Sequence, residues 1–129
     1  MRRKAVWGLW GAAAMAAAAL ACGKSDSTMS PSPAPSGTTI NITSGGATPK
    51  SVTVSRGAQV TFVNNDSRPH DMESDPHPEH TDCPELASVG TLNPGQSRQT
   101  GNLNTARTCG FHDHNLFDNA GLKGSIVIQ

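Results

Sequence analysis

The chain has 129 residues, 16% of them charged, with ten basic residues balancing ten acidic ones and only 4% aromatic residues. That length allows a single domain with one small core. No basic cluster points to a nucleic acid, and once Arg2, Arg3 and Lys4 are set aside as part of a removable segment, seven basic residues face ten acidic ones.

Residues 1–21 read as an export signal: a cationic start, an Ala-rich apolar run from Ala5 to Leu20, and small residues leading to Cys22. The run is too short and too small-chained to prefer spanning a bilayer. Ala19-Leu20-Ala21-Cys22-Gly23 resembles a bacterial lipobox, with Leu one position nearer the cysteine than usual. That resemblance implies that Cys22 is lipidated and becomes the first residue of an exported, membrane-anchored lipoprotein facing the periplasm or the cell exterior; ordinary cleavage near Ala21 is the alternative. Residues 22–37, rich in Ser and Pro, cannot form a packed core and read as a tether. Residues 38–129 are the foldable domain, expected to be monomeric.

From Thr38 onward the apolar residues alternate with polar ones at a period of two: Ile40 and Ile42, Val52 and Val54, Val60 and Phe62. These predict half-buried strands. Gly45-Gly46, Arg56-Gly57 and Asn64-Asn65-Asp66 supply turns, and Asn93-Pro94-Gly95 places Pro and Gly as a type II turn requires. Further strands are predicted over residues 97–102, 105–111 and 124–128, and a short helical turn over 85–89. Many short strands separated by turns predict an all-β domain, a sandwich or barrel. The period is lost over residues 70–86, where His77 lies between two prolines. A segment this polar reads as a surface loop of the kind that carries function.

The chemistry gathers in residues 107–119, where Cys109, His112 and His114 fall close together. Thiolate and imidazole are ligands for copper or zinc. Cys109 and His112, three apart, can turn onto one ion, with His70 as a candidate third arm. Two alternatives compete with this set. If Cys22 carries lipid, Cys83 and Cys109 remain, and an oxidising compartment allows them to form a disulfide. Histidines then have to hold any metal by themselves: all five lie between residues 70 and 114, and His112 and His114 share a face if their segment is extended, with His77 and His80 as further second-choice ligands.

Three stretches carry a resemblance to a known family. Residues 52–70, running through Val60-Thr61-Phe62-Val63-Asn64-Asn65-Asp66 to His70, the turn Leu92-Asn93-Pro94-Gly95-Gln96-Ser97, and Thr108-Cys109-Gly110-Phe111-His112 followed by Leu122-Lys123-Gly124 and a closing strand resemble, in order and spacing, the cupredoxins, the plastocyanin- and azurin-like type 1 copper proteins. The resemblance implies a Greek-key β-sandwich of about seven or eight strands, copper as cofactor, His70, Cys109 and His112 as its ligands, and one-electron transfer in the cell envelope with a redox partner protein. It places Leu122 where the family has an axial methionine, so that position is non-ligating. With the disulfide instead, the expectation becomes a histidine-based copper carrier or buffer exchanging copper with a donor or acceptor, without a blue site. Gly110-Phe111-His112-Asp113-His114 is also similar to the Gly-Phe-His-x-His of copper-zinc superoxide dismutases, although no histidine follows His114. A binding or electron-carrying module, not an enzyme, is the expected function.

Overall fold

The computed structural model describes residues 38–129. The signal, the lipidation at Cys22 and the tether all lie outside the described residues. Nine strands form two sheets: β1 (Thr39–Thr43), β2 (Gly46–Thr48), β3 (Ser51–Val54), β4 (Thr61–Asn64), β5 (His70–Ser74), β6 (Gly90–Leu92), β7 (Ser97–Gln99), β8 (Arg107–Asp113) and β9 (Gly124–Ile128). One sheet has the order β2-β1-β4-β7 and the other β3-β9-β8-β5-β6. β1 runs parallel to β4 and β3 parallel to β9, while the remaining pairs are antiparallel. Three short 3₁₀ helices, Pro84–Ser88, His114–Leu116 and Ala120–Leu122, complete the elements among the described residues. Among the described residues, no helix is long and apolar enough to cross a membrane.

The alternating residues build the core as period-two side chains must. Ile40, Ile42, Val60 and Phe62 are fully buried from one side, and Met72, Leu92, Phe111 and Ile126 from the other. Phe62 on β4 and Phe111 on β8 meet edge to face, with ring centroids 5.3 Å apart. This contact joins the two sheets and adds a favourable quadrupole term to the burial. The turn at Asn93 to Gln96 forms as expected: Gly95 has φ +79°, and the Gln96 amide donates to the Asn93 carbonyl at 2.9 Å.

The structure corrects the strand plan at three places. β5 occupies the start of the segment read as loop, because its inward residues His70, Met72 and Ser74 include two polar ones that hide the alternation. β2 and β6 are only three residues long, below what a period reveals. The strand expected over 97–102 ends at Gln99, after which the Thr100 and Leu103 amides bond back to Val60 and Ala58. The count is therefore nine strands among the described residues instead of seven or eight.

Asn64, fully buried at the end of β4, shapes the link to β5. Its amide nitrogen donates to the carbonyls of Arg68 and Leu92 at 2.7 and 2.8 Å, and its oxygen accepts from the Asp66 amide at 2.8 Å. Every polar atom of the side chain is thus partnered, as burial demands. Replacing Phe62 with alanine is expected to cost about 3–5 kcal/mol, measured by equilibrium urea unfolding. A cost under about 1 kcal/mol contradicts its place as the joint between the sheets.

Candidate metal centre

Cys109 is fully buried on β8 and bonded to Cys83, which lies just before the 3₁₀ helix Pro84–Ser88. The S–S distance is 2.14 Å and the Cα atoms are 5.4 Å apart, within the span a disulfide bridges. The sulfur expected at a trigonal copper site is therefore used in a covalent bond and offers no thiolate. Arg107 reaches over the bridge, pairing with Glu85 and approaching Cys83 Sγ at 3.6 Å.

His70, the first expected ligand, is also committed elsewhere. It is fully buried, with Nδ1 2.6 Å from Asp113 Oδ2 and Nε2 3.0 Å from Asp66 Oδ2. Neither ring nitrogen is left for a metal. The bond from His70 is the main cause holding the Asp66 carboxyl below its ordinary value, helped by the Ser67 amide and Arg68 and opposed by burial. Asp113 uses its other oxygen to cap the 3₁₀ helix His114–Leu116 at the Asn115 amide, 2.9 Å away. His70, Cys109 and His112 are therefore not assembled into one site. Leu122, expected beside a thiolate-bound copper, is buried in the apolar core and has no such copper to flank.

A different set comes together. The ligand nitrogens of His77, His80, His112 and His114 all lie within 4.8 Å of one another. His112 comes from the end of β8, His114 from the 3₁₀ helix that follows, and His77 and His80 from the loop between β5 and the Cys83 bridge. The structure brings His112 and His114 together with His77 and His80, although His114 opens a 3₁₀ helix and does not continue the extended strand. The spacing Pro-His-Pro-Glu-His together with His-Asp-His was the signal for it.

The loop is held in shape by short-range bonds: the His80 amide donates to the Pro76 carbonyl at 2.7 Å, and the Asp82 amide to the Asp75 carbonyl at 2.8 Å. His80 has φ +54°, a left-handed conformation uncommon for a residue with a side chain and found where surroundings enforce it. Phe117 stacks flat on His77, with centroids 4.2 Å apart and an interplanar angle of 3°. Exposed by 41%, it walls the cluster on its outer side.

The donor set fits a transition metal. His77 Nδ1 and His112 Nε2 are buried with no hydrogen-bond partner, and orphaned buried nitrogens are costly unless something binds them. His114 Nδ1 lies 3.2 Å from His80 Nε2, with the two rings inclined at 68°. Burial pushes the His77 pKa down first, and the neighbouring imidazoles of His114, His112 and His80 push it further, against an opposing pull from Glu79. A ring that resists protonation is a ready ligand. Imidazoles alone suit copper or zinc.

Two packed antiparallel-rich sheets with a histidine cluster define a β-sandwich with a candidate metal site. No family model matches the chain. The chain is 36% identical over 84 residues to a plastocyanin of Scenedesmus fuscus, an alignment spanning 63% of this chain and 84% of that one. Among solved structures it is similar to a purple cupredoxin from Nitrosopumilus maritimus, with TM-score 0.55 and 19% identity over 70% of this chain and 98% of the other. It is also similar to the amicyanin of Paracoccus versutus, with TM-score 0.56 and 14% identity over 74% and 83%. The chain belongs to the cupredoxin family. Copper is the cofactor that goes with that family.

Alkylating the denatured chain without reduction is expected to leave Cys83 and Cys109 unmodified, and reduction beforehand to expose both, as read by peptide mass spectrometry. Recovery of either one alkylated without reduction contradicts the bridge.

Proposed function

We propose that this cupredoxin domain binds copper through the four imidazoles of His77, His80, His112 and His114, as a copper carrier or buffer, in place of a blue thiolate site. The observation that carries the reading is the combination of a sulfur bonded to Cys83 and two buried, unpartnered imidazole nitrogens within a four-histidine cluster. The donor set supplies nitrogen only, so a bound copper has no thiolate to give the intense visible band of a blue protein.

The role of the protein is to present these rings partly shielded from water and already gathered. The disulfide and Asp75 fasten the two ends of the ligand loop, and Phe117 covers His77. Family membership favours a second reading, one-electron transfer at the same imidazole site; that reading calls for reversible reduction of the bound copper with a partner protein. Binding without turnover is the proposed role, and superoxide consumption by the copper-loaded chain tests the enzymatic alternative.

The proposed location is the cell envelope, with the domain tethered through a lipidated Cys22. Support comes from the lipobox-like sequence and from a disulfide, a bond that persists in oxidising compartments. The partner is then a copper donor or acceptor in that compartment.

His80→Ala and His114→Ala test the ligand set, since neither residue belongs to the family pattern of His70, Cys109 and His112. Each is expected to weaken copper(II) binding by at least about tenfold in competition titrations, with no intense visible band in the wild-type complex. Unchanged affinity in both variants, or a strong thiolate-to-copper band, overturns the reading.

A further inference from the structure

One residue fastens together the two halves of the histidine cluster. The Asp75 amide donates to the Gly110 carbonyl on β8 at 3.0 Å, and the Asp75 carbonyl accepts from the Asp82 amide, closing the loop that carries His77 and His80. The side chain works on the other half: Oδ1 lies 2.6 Å from His112 Nδ1. Its second oxygen fills the space beside Gly110, where a Cβ would fall 2.2 Å from Asp75 Oδ2. Only glycine at position 110 lets the carboxylate lie against the strand.

A carboxylate accepts and does not donate, so the shared hydrogen sits on His112 Nδ1 and the lone pair is left on Nε2. That Nε2 is the buried, unpartnered atom of this ring. Asp75 thus sets which nitrogen of His112 is free to bind. It also places a negative charge one imidazole away from the cluster centre. A carboxylate bonded to a ligating imidazole strengthens the ring as a donor, and its attraction is greater for a dication than for a monocation, since Coulomb energy scales with charge. Among the other carboxylates, Asp113 is engaged by His70 and the Asn115 amide, Glu79 is exposed, and Glu73, opposite His112 in the β5–β8 register, is not bonded to its ring, whose Nδ1 meets Asp75 and whose Nε2 has no partner.

We propose that Asp75 is the positioning residue of the four-imidazole site, fixing the Nδ1–H tautomer of His112 and biasing the site toward copper(II) over copper(I). The proposal rests on the copper reading above, and its test separates the two. In the metal-free full chain, ¹⁵N shifts of the histidine side chains are expected to show His112 Nε2 unprotonated, and Asp75→Ala to remove that fixed tautomer. A wild-type His112 protonated on Nε2, or a tautomer unchanged in Asp75→Ala, overturns the positioning role whether or not copper binds.

Asp75→Asn keeps the size of the side chain and the backbone bonds while removing the charge. Competition titrations with glycine for copper(II) and bicinchoninate for copper(I) are expected to show copper(II) affinity about 10–100-fold weaker than wild type, with a smaller loss for copper(I). Equal losses for both ions, or no loss, overturn the bias. A wild-type chain that takes up neither ion overturns the proposed function, and the nitrogen shifts then decide the role of Asp75 by themselves.

Discussion

The bond between Cys83 and Cys109 constrains the end of this sandwich that carries the histidine cluster. It withdraws the sulfur that a trigonal copper site needs, and it ties the histidine-bearing loop to β8 three residues before His112. Loop closure of this kind acts chiefly on the unfolded chain, reducing the freedom the loop has to lose. With its far end bonded at Cys83 and its near end hydrogen-bonded at Asp75, the loop holds His77 and His80 against His112 and His114 before any ion arrives. Ligands that are already gathered avoid the ordering cost of collecting them at the moment of binding.

The same economy of partners explains His70. A buried imidazole needs hydrogen bonds on both nitrogens, and here Asp66 and Asp113 supply them. Asp113 stands between His112 and His114 in the chain and caps the 3₁₀ helix that follows, so the family's first ligand position now supports the turn that carries His114 of the cluster. Fold and histidine cluster are thereby separable: the sheets and the Phe62–Phe111 contact keep the cupredoxin sandwich, while the clustered imidazoles come from the loop, the end of β8 and the 3₁₀ helix after it. Copper chemistry in such a protein depends on which side chains the loops bring together, more than on the sandwich itself.

Much of the sandwich was legible in the sequence because its inward residues are apolar at a period of two. Ile40 and Ile42, Val52 and Val54, and Phe62 mark their strands without help. β5 was not legible, since two of its buried positions are His70 and Ser74, whose burial is made possible by partners far away in the chain. The site was half legible. His112 and His114 and the Pro-His-Pro-Glu-His stretch are conspicuous, and the disulfide was one of two readings open for Cys109. Chain order alone could not choose between them, because a disulfide depends on Cα atoms coming within a few ångströms of each other. The role of Asp75 could not be read at all, since it requires knowing that the loop returns to Gly110.

In the proposed site, nitrogen alone holds the metal. X-ray absorption at the copper edge of the copper-loaded chain tests it most directly. The expected spectrum shows imidazole nitrogens bound to the copper, with the more distant scattering of the rings and no sulfur. A short copper–sulfur contribution would contradict it, returning Cys109 to the metal and opening the bridge to Cys83.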